Sequence, residues 1–274
     1  METRDKLADF QQQILNEAPR LSASSRFRFA CRPGISCFGV CCRDVNIVLG
    51  PYDVLRLRRR LGMGSQEFLA EHTILPFAED QRLPVPLLKM GQGEEKRCPF
   101  LGEQGCTVYE DRPWPCRAYP IGEASSGTSS RPGEKFYFLV EEAHCKGHGE
   151  ADEWSVGEWL EKEGVSPYQA FGELLKEITL HPRLAQGKAL PPKQIEMYFM
   201  ASYELDRFRR FIFESRFLEC YEVARDYADR LREEDEELLR FGLSWLRFAL
   251  FGEPTIRVKP EVLEAKRKEM AKRP

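Results

Sequence analysis

The chain has 274 residues, of which 42% are hydrophobic and 31% charged, and its formal net charge is −3 at pH 7. This length and apolar content are sufficient for one large domain or two small ones with a substantial core. The nearly balanced charge argues against nucleic acid or a membrane as partner, and no run of 18 apolar residues predicts a membrane-spanning helix.

The N-terminal segment, residues 1–23, is predicted to contain an amphipathic helix over residues 2–18 that ends before Pro19. Its charged residues interrupt any apolar core of a signal peptide, so a cytoplasmic location is expected. Thiols stay reduced in the cytoplasm, where clustered cysteines bind metal or react more often than they form disulfides. A disulfide framework is the alternative for a chain with nine cysteines.

Residues 24–150 contain eight of the nine cysteines and several predicted elements. "YDVLRLRRRLG" predicts a helix whose arginines form a solvated face, with nucleic-acid binding as the alternative. Ser65 is predicted to cap the helix that follows. "LPVPLLKMG" and "EKFYFLV" predict strands, "SSGTSS" predicts a flexible turn, and the segment 98–120 is rich in turn formers.

Residues 151–258 have a helical pattern and residues 259–274 form a basic tail. Ser155 is predicted to cap a helix, and Ser166 with Pro167 predicts the start of another. The segment 193–250 predicts two or three helices. Its apolar stripe is expected in the core and contains Phe208, Phe211, Ile212, Ser215, Leu218, Tyr221 and Leu231. The lone Cys220 is predicted to be a small buried hydrophobic residue. The expected fold is mainly α, with an irregular cysteine-rich metal-binding region and a few short β-strands packed against a C-terminal helical bundle.

The eight clustered thiols indicate a metal site, because soft thiolate ligands suit zinc or iron–sulfur clusters. Zinc knuckles usually present a C-x2-C pair, which this chain lacks. Adjacent side chains diverge, so the pair Cys41–Cys42 favours a polynuclear site over one mononuclear site. Two sites of four cysteines each would use the same eight residues and stay open as an alternative. The candidate ligands are Cys31, Cys37, Cys41, Cys42, Cys98, Cys106, Cys116 and Cys145.

Three further residues are candidates for contact with the bound cofactor. His144 and His148 flank Cys145 and are candidate nitrogen ligands or hydrogen-bond donors to thiolate sulfur. Arg117 follows Cys116, and with Arg112 it would lower the proton affinity of nearby thiolates. The alternative is that these arginines pair with carboxylates at the surface.

The C-x3-C-C pattern at Cys37, Cys41 and Cys42, the "CPFL" at 98–101 and "GCTVYEDRPWPCRAYP" at 105–120 resemble the YkgJ-type cysteine-cluster family of zinc- or iron-chelating proteins. That family is related to flagellin lysine methylases of the FliB type. The resemblance covers about residues 27–150 and implies that seven cysteines, from Cys37 to Cys145, bind metal, with Cys31 at the first position. The relation to the methylases implies an iron–sulfur cluster, and the family itself implies no settled activity.

The leading hypothesis is therefore a protein with a cysteine-ligated iron–sulfur cluster, of the 4Fe-4S type. One alternative is a structural or interaction protein that binds zinc. Another is a protein for electron transfer or redox sensing. Each of these alternatives would act on or with a protein partner. A further alternative is a protein lysine methyltransferase that uses S-adenosylmethionine. Such an enzyme needs aromatic and carboxylate side chains near the cluster, and the chain offers Tyr109, Asp111, Trp114 and Tyr119. The chain lacks the usual strand, glycine-rich loop and helix of such enzymes. Because the ligands span residues 31–145, metal loss is expected to unfold the N-terminal half.

Overall fold

The structure is a computed structural model that describes residues 19–76, 83–125, 135–185 and 190–270. The helix predicted before Pro19 and most of the serine- and glycine-rich turn lie outside these residues. Within these ranges, no helix combines the length and the apolar character needed to cross a bilayer.

The described part of the chain contains twelve α-helices, which confirms the mainly helical fold. The first three lie in the cysteine-rich region and the others follow it. They are α1 Pro51–Leu61, α2 Ser65–His72, α3 Trp114–Ala118, α4 Val156–Lys162, α5 Ser166–Thr179, α6 Pro182–Ala185, α7 Pro192–Ser202, α8 Leu205–Glu214, α9 Phe217–Cys220, α10 Arg225–Glu233, α11 Asp235–Leu246 and α12 Pro260–Met270.

Eight short strands pair in antiparallel twos, so none of the described sheets has more than two named strands. The pairs are β1 with β8, β2 with β3, β4 with β5, and β6 with β7. The strands are β1 Arg26–Arg28, β2 Thr73–Ile74, β3 Leu87–Leu88, β4 Leu101–Gly102, β5 Gly105–Cys106, β6 Ile121–Ser125, β7 Lys135–Leu139 and β8 Glu153–Ser155. Both predicted strand segments, 83–91 and 134–140, therefore contain a strand.

The prediction of two or three helices over 193–250 is wrong, since this segment contains the five helices α7–α11 and enters a π-helix, Arg247–Phe251. Ser215 explains one of the breaks. Its hydroxyl donates to Phe211 O and accepts from Phe217 N, which ends α8 and starts α9. Serine favours helix ends because it competes for backbone hydrogen bonds in this way.

The predicted helix starts are confirmed at one position and shifted at two. Ser155 caps α4, where its hydroxyl accepts from Glu158 N and Glu158 bonds back to Ser155 N. Ser65 does not cap α2, because Gly64 occupies the cap position and the Ser65 hydroxyl accepts from Asp206 N instead. Ser166 lies one residue inside α5. The predicted basic tail is helical to Met270.

The main core unites α1 and α2 of the cysteine-rich region with the helical region that follows. Phe208, Ile212 and Leu231 of the predicted apolar stripe are completely buried there, whereas Ser215 is exposed. Val54, Leu55 and Leu57 enter the same core from α1. Burial of such side chains stabilises the fold by roughly 1.5–3 kcal/mol each.

A second, smaller core lies beneath the loops that carry the first cysteines. We call it the small core; its buried members are Phe27, Phe29, Ala118, Ile121, Val156, Trp159, Leu160 and Val165. Trp114 of α3 packs against both cores. The cysteine-rich loops therefore lie where the two cores meet.

The arginine-rich helix α1 is only partly a solvated face, which corrects the prediction. Arg56 Nη2 lies 2.5 Å from Asp111 Oδ1, and the buried Arg58 has its Nη2 2.5 Å from Asp235 Oδ2. Arg59 and Arg60 remain exposed. The ion pairs of Arg56 and Arg58 tie α1 to the loop before α3 and to α11.

Candidate metal centre

Backbone hydrogen bonds hold the loop after β1 against the loop that contains Cys145. Phe29 N donates to Asp152 O at 2.9 Å, and Ala30 N donates to Gly147 O at 3.1 Å. A Cβ at Gly147 would lie 2.5 Å from Ala30 O, so only glycine allows this approach. The contact brings Cys31 and Cys145, far apart in the sequence, to the same site.

Four cysteines line one small cavity in this region, and we call them the first cysteine group: Cys31, Cys37, Cys41 and Cys145. Burial, together with the charges of the three other members, raises the pKa of Cys31 to about 11. Lys146 N donates to Cys37 Sγ at 3.1 Å. The aromatic rings of Phe29, Phe38 and Tyr119 form much of the remaining wall.

The other four clustered thiols form the second cysteine group: Cys42, Cys98, Cys106 and Cys116. Cys98 N donates to Cys42 O at 2.8 Å, which joins the first cysteine loop to the next. The β4–β5 hairpin pairs Leu101 with Cys106 and returns Cys106 toward Cys98. Cys98 and Cys106 pack against the main core.

Helix α3 presents Cys116 to this second group, and a buried carboxylate holds the start of the helix. Asp53 Oδ1 accepts from Trp114 N at 2.7 Å, and its Oδ2 accepts from Gly50 N at 2.7 Å. Burial raises the pKa of Asp53 to about 6, although both amides oppose the shift. The sequence analysis missed Asp53, whose place after Gly50-Pro51 indicates only an ordinary helix start.

The thiols of the second group are held mostly in their neutral form when no metal is bound. Burial within the surrounding protein, followed by the charges of Cys98 and Cys106, raises the pKa of Cys116 to about 12, although the residue remains partly exposed to solvent. Burial also raises the pKa of Cys98 and of Cys106, while backbone amides, including that of Phe100 at Cys98 and that of Val108 at Cys106, oppose it. Metal binding would therefore release protons.

The two groups meet at the adjacent pair Cys41–Cys42. A hydrogen bond from the Cys42 thiol lowers the pKa of Cys41 to about 7, and the same bond raises the pKa of Cys42. The charge of Cys41 also raises the pKa of Cys116 in the second group. Cys41 therefore lies close to both groups, and its sulfur atom is hydrogen-bonded to the Cys42 thiol.

The two arginines near Cys116 have different surroundings. Arg117 is buried, and it donates to Glu163 O at 2.6 Å and to Glu110 O at 2.5 Å, so its role toward a cofactor stays a prediction. Arg112 is buried against the carboxylate of Glu163. Its charge offsets part of the increase that burial causes in the pKa of Cys31 and Cys106. No pattern in the sequence points to Glu163, which lies at an ordinary polar helix end.

The two histidines that flank Cys145 also differ. His144 lines the cavity of the first cysteine group, and its Nε2 lies 3.5 Å from Glu142 Oε2. His148 Nε2 is 3.2 Å from Val140 O, and its ring packs against Phe29 with a centroid distance of 5.3 Å. His144 is therefore the one placed toward the thiols, and ligation by either histidine stays a prediction.

The donor set fits a thiolate-bound metal in its chemistry. All eight candidate cysteines are free thiols. Cys220 is free as well; it is half-buried at the end of α9 and belongs to neither group. Within the described ranges, no three side chains of the ligand types already stand at coordinating positions. These thiols lose their protons when a metal binds.

The fold and these two groups define a cysteine-rich metal-binding domain joined to a helical region. The comparisons agree, since residues 30–146 match the CxxCxxCC family, described as a "putative zinc- or iron-chelating domain". The match covers the cysteine-rich region, and the spacing at its start is C-x5-C-x3-C-C. No curated protein and no solved structure gave a match.

Proposed function

We propose that the chain is an iron–sulfur protein in which the first cysteine group holds a 4Fe-4S cluster. The second cysteine group would hold a further metal that stabilises the loops. The observation that carries the proposal is the arrangement of eight thiols in two groups of four, of which the first lines a cavity.

The surroundings of the first group support a cluster there. Phe29 and Phe38 line the cavity with apolar surface beside the thiols, and an apolar surrounding of this kind limits the access of water to a bound metal. The amide of Lys146 donates to Cys37 Sγ, and hydrogen bonds of this kind tune iron–sulfur clusters. When bound, a cluster of this type supplies one-electron transfer, and this chain's residues position and shield it.

Metal and sulfide analysis of the protein purified without oxygen tests the proposal. We expect broad visible absorbance with about four irons and about four acid-labile sulfides per chain, the content of one 4Fe-4S cluster. A colourless protein without sulfide would contradict the proposal. It would favour the second candidate, two structural zinc sites, which the division into two groups of four thiols also fits.

Two cysteine variants, one from each group, separate the roles of the groups. We expect Cys145→Ser to remove the iron, the sulfide and the visible absorbance. We expect Cys116→Ser to remove the further metal and to lower the soluble yield while the visible spectrum stays, because Cys116 belongs to the second group. Metal analysis and absorbance spectra of both variants measure this.

Cys220→Ser is the matched control, since Cys220 lies in neither group and should leave the metal content unchanged. If Cys145→Ser and Cys116→Ser lost the same metal to the same extent, one site would extend over both groups. An unchanged metal content in Cys116→Ser would show that this cysteine is no ligand.

A further inference from the structure

Tyr119 links the small core to the cavity of the first cysteine group. It follows α3 directly, and its ring packs edge-on against Phe29 with a centroid distance of 5.7 Å. The same ring lines the cavity together with Cys145. Tyr119 therefore forms part of the wall that would face a bound metal cluster.

The hydroxyl of Tyr119 is buried and makes no hydrogen bond of good geometry within the described part of the chain. A buried phenol normally has a hydrogen-bond partner, because burying a polar group without one destabilises the fold. The two neighbouring groups that could accept its proton are Cys145 and Glu142. Glu142 is exposed to water and lies near His144, so Cys145 Sγ is the half-buried acceptor.

We propose that Tyr119 is a positioning residue that donates its hydroxyl to Cys145 Sγ and thereby raises the reduction potential of the bound cluster. The inference rests on the proposed function. Reduction adds negative charge to a cluster and its thiolates, and a hydrogen-bond donor stabilises the form with more negative charge. Tyr119 would act in this way together with the amide of Lys146, which already donates to Cys37 Sγ.

Tyr119→Phe in the full chain, purified without oxygen, removes the donor and keeps the ring. We expect a lower reduction potential by spectroelectrochemical titration, with iron and sulfide per chain unchanged. Tyr137→Phe is the matched control, because Tyr137 packs against the same small core and is not part of the cavity wall. An unchanged potential in Tyr119→Phe, or an equal shift in both variants, would overturn the inference.

A second replacement keeps the test decisive if Tyr119→Phe fails to hold the cluster. A ring-fluorinated tyrosine placed at position 119 retains the hydroxyl and makes it a stronger donor, so the potential should rise. No rise would overturn the inference. Absence of iron and sulfide from the wild-type protein would refute the proposed function, whereas a loaded protein with an unmoved potential would refute only the role of Tyr119.

Discussion

Removal of the metal is expected to abolish amide protection in the cysteine loops, residues 30–46 and 97–111, and to leave α1 and α2 protected. A structural thiolate-bound metal contributes on the order of 10 kcal/mol to folding, whereas these loops place only Phe100 and Val108 among the buried members of the main core. Helices α1 and α2 instead bury Leu55, Leu57 and Phe68 in the main core, which needs no metal. The sequence alone predicted that the whole N-terminal half would unfold without metal. Because α1 and α2 pack in the main core, we now expect only the cysteine loops to unfold.

Hydrogen exchange measured by mass spectrometry, before and after chelation under reducing conditions, tests this result. The Cys220→Ser variant, loaded with metal, should match the wild-type exchange pattern throughout. If α1 and α2 lost protection together with the loops, the metal site and the main core would form one cooperative unit and the expectation would be wrong.

Arg112→Gln is expected to destabilise the metal-loaded protein by about 3–5 kcal/mol, the usual cost of breaking a buried ion pair. Arg112 and Glu163 are each less than one tenth exposed, so the variant leaves the Glu163 carboxylate buried without its partner. Arg112 Nη1 also donates to Tyr109 O at 2.8 Å, which holds the turn before α3. The variant should also bind metal more weakly, since Arg112 favours the thiolate forms of Cys31 and Cys106.

Urea unfolding at equilibrium gives the change in the free energy of unfolding. Arg216→Gln is the matched control; Arg216 is 85% exposed and pairs with Glu219 at the surface, so no measurable change is expected. Adding Glu163→Gln to Arg112→Gln should restore part of the stability, because the neutral amide costs less to bury than the unpaired charge. If Arg112→Gln and Arg216→Gln lowered the free energy of unfolding by the same small amount, the buried pair would contribute no more to stability than the surface pair.

Local patterns in the sequence were sufficient to predict two helices near the site. The apolar spacing of Val54, Leu55 and Leu57 predicted α1, and Ser155 with Glu158 gave a true capping box. The same kind of pattern failed at Ser65 and over 193–250. There, a contact with Asp206 from a distant helix and the bonds of Ser215 decided where helices begin and end.

The sequence alone determined the chemistry of the site, because eight thiols between residues 31 and 145 are soft ligands that suit zinc or iron–sulfur clusters. Only the tertiary structure decided which thiols stand together. Spacing along the chain fixes geometry over a few residues, whereas Cys31 meets Cys145 through the β1–β8 pairing and the contact of Ala30 with Gly147. The same long-range packing assigns Cys41 and Cys42 to different groups. It also places Tyr119 beside Cys145, and no local pattern specifies either result.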